Sequence, residues 1–342
     1  LNQAAVETPR GETWLGLNLR IADGTKLVLP RTEDILKVYD VPKSGSGESH
    51  YPQAWMMTLI GGFCYQPLAI VMGQHKDSER DLFRKLMHRL SGNDLVLLDR
   101  GLGGGKIYLD CVTNKFSFIH RAITSGDTVA GYIVEFLEKN KKSDVVQVTV
   151  KDGKETTTLT LRLVRGPKDS EKKPIVFVTN LLDESLYTSA SICELYRQRW
   201  AVETQYGRVK KLLKVEQFHA KKINGIMQEI YANLLVISLA SAIEYQASLQ
   251  LKLDRTKKIP SFKAVVEVVR RHLNAIIGRK QISFEESIML AEKMIEEAGR
   301  IIWTKQPGRS YPRISRQPLN KWTQKRKGKL KEFEDAKQSK LN

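Results

Sequence analysis

The chain has 342 residues, with 56 Lys and Arg against 38 Asp and Glu, for a net charge of +18. Hydrophobic residues make up 41%, enough for a packed core, so wholesale disorder is excluded. The positive excess points to a polyanionic partner, nucleic acid ahead of an anionic membrane surface.

Cys64, Cys111 and Cys193 are isolated, with no C-x-x-C pair. That argues against a disulfide framework or a cysteine zinc site and favours a reducing cytoplasm. The six histidines are scattered without ligand spacing. The apolar stretch at 232–243 is too short and too interrupted to be expected as a membrane span.

In chain order, Leu17–Ile21 alternates as a strand does and runs into Asp23-Gly24-Thr25, a turn signal, before a second short strand at Lys26–Leu29. Residues 40–53, rich in Gly, Ser and Pro, read as a loop. Ala54–Ile60 and Pro67–Met72 read as strands, and 77–90 as a helix through Leu82, Phe83, Leu86, Met87 and Leu90. Leu95–Leu98 is wholly apolar, as a buried central strand should be. A short helix at 103–114 and a strand at Phe116–Ile119 follow.

From 122 to 173 the texture becomes β-rich. Val145–Val150 and Thr156–Val164, joined across Asp152-Gly153, predict a hairpin. Ile175–Thr179 is another buried-type strand, and helices are expected at 188–215, 222–250, 261–274 and 284–300. Residues 304–342 hold twelve Lys or Arg against three acids, so half of the net charge lies there. The expected divisions are 1–121, a β-rich insertion at 122–173, 174–220, a helical region at 221–303 and a basic tail at 304–342. Strands followed by helices predict a mixed α/β layered domain carrying a separate β insert.

Asp23 and Asp99 each close a predicted strand, and strand-end carboxylates suit hard divalent cations. The plainer alternative makes Asp23 a turn residue and Asp99 a strand terminator. On a helix through 188–215, Leu195, Val202, Val209 and Leu213 form the buried stripe, and Tyr196, Arg199, Trp200, Glu203 and Lys210 share the adjoining arc. A solvated face with an Arg199–Glu203 pair is one reading of that arc. A phosphate-handling site is the other: Arg199 and Lys210 grip the backbone, Glu203 holds metal and Trp200 stacks on a base.

The spacing Tyr196-x2-Arg199-x3-Glu203-x6-Lys210 resembles the Tyr-Arg-Glu-Lys signature of bacterial insertion-sequence transposases of the insertion-sequence-four family. Ile21-Ala-Asp23-Gly-Thr25-x-Leu27 resembles that family's first-aspartate block and Leu97-Leu-Asp99-Arg-Gly101 its second. Phe177–Leu181 with Leu195–Glu203 resembles the glutamate block, and Arg309–Arg313 the basic C-terminal end.

The resemblance implies a ribonuclease H-like fold with a β-rich insertion before the glutamate helix and a helical C-terminal part. It implies an acidic triad of Asp23, Asp99 and Glu203 holding two Mg²⁺, with Mn²⁺ able to substitute, about 3.5–4 Å apart. It implies cleavage and strand transfer of double-stranded DNA at the element's ends and in the target, by a homodimer, with no membrane partner. Tyr196, Arg199 and Lys210 match phosphate contacts, and Trp200 matches an aromatic that accommodates a flipped base. Relatives can place a stacking Trp in the insertion; 122–173 has none, so Tyr132 or Phe136 would substitute, or the hairpin step differs. Relatives also carry a DNA-binding region ahead of the first aspartate, and 22 residues precede Asp23, so the chain is expected to lack that region. A non-catalytic DNA-binding derivative and a structure-specific nuclease on the same fold are the rival functions.

Overall fold

A computed structural model describes residues 13–44, 47–168, 172–199, 217–277 and 282–305. Its central strand, β1 (Asn18–Val28), replaces the two short strands expected there. Asp23-Gly24 does not turn. An unbroken antiparallel ladder with β4 (Gln53–Gly61) runs from Arg20 to Val28 and sets Gly24 opposite Met57. Ladder pairing outweighs the local turn preference of an Asp-Gly dipeptide.

β4 pairs antiparallel with β5 (Pro67–Gln74) on its other side. Beyond β1 come β6 (Asp94–Leu98) and β7 (Ser117–Arg121), both parallel to it. The order β5-β4-β1-β6-β7, antiparallel on one side of β1 and parallel on the other, is that of a ribonuclease H-like sheet. Leu95–Leu98 of β6 are all buried, as their apolar run predicts, and the buried Asp94 before them is paired with Arg20 at 2.8 Å.

The hairpin expected in the insertion forms as β8 (Ser143–Asp152) and β9 (Glu155–Arg165), turning at Gly153 with φ 63°. It does not stand apart. β9 pairs with β10 (Val176–Thr179), and β10 with β7, so the hairpin extends the main sheet to eight strands. The same segment holds a helix, α4 (Gly131–Glu138), which the periodicity reading missed. Within 40–53, Lys43–Ser44 and Gly47–Glu48 pair as a two-stranded ribbon, β2 and β3.

Side-chain alternation along β1 sorts the layers. Ala22 faces a core built with α2 (Glu79–Arg84), α3 (Gly105–Thr113) and α4. Leu19 and Ile21 face the other way, onto α5 (Ser189–Tyr196). Leu27 and Leu29, on that second face, pack with a helical layer of α6 (Ile223–Gln250), α7 (Phe262–Ile277) and α8 (Phe284–Ala298), joined by Ile35 of the short α1 (Glu33–Leu36). A Ser283–Glu286 capping box starts α8. A short pair, β11 (Lys258–Pro260) and β12 (Ile302–Thr304), ties the two ends of this layer.

One expected helix is shorter than its periodicity suggested, and the one expected at 188–215 is described only as far as residue 199. The 77–90 segment divides into α2 and a 3₁₀ turn at Met87–Arg89. After α5 the chain tightens into a 3₁₀ turn at Arg197–Arg199. α6 matches the helix expected at 222–250, and by length and composition it could cross a membrane. Its Ile226, Ile230, Leu234 and Ile237 nevertheless pack into the core with Leu27 and Met56.

Candidate active site

The two aspartates meet because of strand register. Ile21 of β1 is paired with Leu97 of β6 in parallel, so two residues further along each chain Asp23 stands opposite Asp99. β6 ends at Leu98, whereas β1 continues. Asp23 is therefore a half-buried mid-strand residue just beyond the end of its shorter neighbour, not a turn residue. Asp99 is fixed by its own loop: Oδ1 accepts the backbone N–H groups of Gly101 at 3.0 Å and Leu102 at 2.9 Å.

Their electrostatics register the approach. Burial and then the charge of Asp99 push the Asp23 pKa up to about 7, against the lowering effect of Arg199. A carboxylate pair in this state favours any cation that can be shared between them. The donors are all oxygen, which suits a hard divalent ion such as Mg²⁺. Asp23 and Asp99 are the residues that would hold it. Among the described residues, no three Asp, Glu, His or Cys side chains stand at ligating spacing.

Of the other expected site residues, Arg199 is beside the aspartates, its charge felt at both Asp23 and Tyr196. Tyr196 departs from expectation. It is buried at 6% exposure, tilts onto Phe177 and donates its hydroxyl to the Leu98 carbonyl at 2.9 Å. That placement does not fit a phosphate contact on a solvated arc; it braces the end of β6. The reason is local: Ile192, Leu195 and Tyr196 stand at i, i+3 and i+4 of α5 and are all buried, so the ring belongs to the core stripe of that helix. Trp200, Glu203 and Lys210 lie outside the described residues, as do 306–342 of the basic tail.

Phe136 cannot take the stacking role considered for the insertion. It is 1% exposed, with the Arg165 guanidinium over its ring. Tyr132 is half-buried against the same core.

Three residues of the site escaped the sequence reading. Glu79 and Arg80 open α2 beside the Asp99 loop, where Arg80 Nε donates to the Gly101 carbonyl at 3.0 Å. Burial and then Asp99 raise the Glu79 pKa, opposed by Lys26. His120, paired with Leu98 across β6 and β7, lies beneath the Gly-rich stretch after Asp99. Tyr108 Oη and His120 Nδ1 are 2.7 Å apart. Burial pulls the His120 pKa down to about 3; a backbone hydrogen bond at Arg100 opposes the fall and the Arg80 charge adds to it. The one available signal was the glycine run at 103–105, which marks a close approach to something rigid.

No curated protein sequence matches the chain. Among solved structures, a piggyBac transposase in a synaptic complex with hairpin DNA, determined by cryo-electron microscopy, is similar at 13% identity and a TM-score of 0.44, over 86% of this chain. The chain spans 59% of the length of that relative. A model of the transposase DDE domain matches residues 14–239, which take in both aspartates, the sheet and the helix that carries Tyr196. The chain belongs to the transposase DDE domain family.

Proposed function

We propose that this protein is a DNA transposase of the insertion-sequence-four type, which cleaves and joins double-stranded DNA at the ends of its element. The observation that carries the reading is the parallel register that brings Asp23 beside Asp99 at the ends of β1 and β6, within a chain of the DDE family. Asp23, Asp99 and Glu203 would hold two Mg²⁺ ions, or Mn²⁺ in their place. When bound, such ions lower the pKa of an attacking water and stabilise the leaving oxygen at a phosphodiester.

The chain's own residues do the rest. Arg199, whose charge is felt at Asp23, together with Arg100 and Arg121, whose charges are felt at Tyr196, gives the site a cationic border that can receive a phosphate. Asp99 is kept in orientation by the Gly101 and Leu102 amides. Lys210 extends the phosphate grip, Trp200 accommodates a displaced base, and the tail at 304–342 adds sequence-independent affinity for duplex DNA. Two copies would synapse two DNA ends, in a bacterial cytoplasm at the nucleoid.

The test uses duplexes carrying the inverted repeats that flank the reading frame. Expected are Mg²⁺-dependent 3′-hydroxyl ends and their transfer into a second DNA, both lost in Asp23→Asn and Asp99→Asn. Hydrolysis without strand transfer would make the protein a nuclease. Binding without cleavage would make it a non-catalytic derivative.

A further inference from the structure

A further carboxylate reaches the aspartates from the opposite face of the sheet. Glu79 is the first residue of α2, on the side of β1 to which Gly24 and not Asp23 points. Its Oε1 is 2.5 Å from where a Gly24 Cβ would stand. Its Oε2 is 3.6 Å from the corresponding point on Gly101, and Asp99 Oδ1 is 3.5 Å from that same point. Both glycines are close neighbours of the aspartates in sequence, and the missing side chain at 24 leaves the room in which the Glu79 carboxylate lies.

The helix that presents it is held from three sides. Leu82 and Phe83 are fully buried, Arg80 binds the Gly101 carbonyl, and Arg84 Nε donates to Asp110 on α3 at 2.6 Å. Those contacts account for the packing of α2 and need no acid at 79. Setting one there, against Asp99, costs repulsion that only nearby positive charge offsets. Lys26 supplies part of it.

We propose that Glu79 is a positioning residue for the divalent cation of this site, accepting hydrogen bonds from the ion's water rather than ligating the ion. The proposal rests on the transposase reading above. Contact through water agrees with the absence, among the described residues, of three such side chains at ligating spacing. It also agrees with the reluctance of Mg²⁺ to shed its hydration shell.

The test is calorimetric titration of the full chain with Mn²⁺, alongside melting with and without Mg²⁺. Outer-shell partners typically contribute about 10–100-fold in metal affinity, so Glu79→Gln should bind Mn²⁺ at least about ten-fold more weakly. It should also melt higher than wild type without metal, because the repulsion with Asp99 is gone, and gain less from Mg²⁺. Glu79→Asp keeps the charge on a shorter arm, so it should melt near wild type without metal yet still bind weakly. Wild-type Mn²⁺ affinity in Glu79→Gln, with affinity lost in Asp99→Asn, would overturn the proposal and leave the transposase reading standing. Wild-type affinity in Glu79→Gln, Asp23→Asn and Asp99→Asn alike would overturn both.

Discussion

The Tyr196 hydroxyl donates to the Leu98 carbonyl at 2.9 Å, tying the last residue of α5 to the last residue of the strand that delivers Asp99. The bond spans 98 positions of sequence, so it couples the strand before Asp99 to the helix that follows the insertion.

Tyr196→Phe tests that coupling. The ring keeps its contact with Phe177, and one buried hydrogen bond is lost, for a destabilisation of about 1 kcal/mol. Cleavage should fall because Asp99 is held less firmly, while affinity for duplex DNA should stay at the wild-type level. A large loss of DNA affinity with unchanged melting would return Tyr196 to the role of a phosphate contact.

Gly103→Ala should be severely destabilising, although alanine is the smallest possible change. A Cβ at 103 would overlap the His120 imidazole, a rigid ring with no room to retreat. Melting of Gly103→Ala beside Gly131→Ala, where nothing lies within 4 Å, separates this close packing from a general effect of losing glycine.

His120 predicts a pH dependence of stability. Its pKa is lowered to about 3 in the folded protein, by burial first, whereas in the unfolded chain it titrates near 6.5. The folded state therefore resists protonation and the unfolded state accepts it. The contribution is fully present above about pH 6.5 and is lost as pH falls towards 3. Asp23, raised to about 7, titrates in the same window with the opposite sign, so the expected result is that the stability difference between wild type and His120→Gln shrinks as pH falls from about 6.5 to 5. Arg80 and the Tyr108 hydroxyl are the groups facing the ring, and an identical pH profile in His120→Gln would contradict the assignment.

Arg162 is wholly buried in β9 and holds the insertion to the segment leading into α5. Its Nε donates to Ser143 Oγ at 2.8 Å, and its terminal nitrogens donate to the Tyr187 carbonyl at 2.6 Å and Ser189 Oγ at 3.3 Å. Arg162→Ala leaves those acceptors unsatisfied beside a cavity, at a cost on the order of 3 kcal/mol. Chemical denaturation should report the loss, and Arg162→Lys should recover only part of it because a single ammonium cannot span the same fork.

Much of this protein was legible from its residues alone. Leu95–Leu98 announced a buried strand because a strand covered on both faces must be apolar at every position. Asp152-Gly153 announced a hairpin because glycine supplies the positive φ that the turn requires. Asp23 and Asp99 were identifiable as candidates from short motifs, whose chemistry depends on residue type and local spacing.

Tertiary structure decided what depends on partners distant in sequence. Whether Asp23-Gly24 turns or continues was settled by the ladder to β4, and the meeting of Asp23 with Asp99 by the parallel register of β1 on β6. Tyr196 left the arc it was expected to share with Arg199 and became a buried brace, because Ile192 and Leu195 carry it into the core of the sheet, where the Leu98 carbonyl accepts its hydroxyl. Glu79 and His120 carried no motif at all. Only folding brings a helix start and a neighbouring strand against the Asp99 loop, because burial and charge contact are properties of position in space and not of order along the chain.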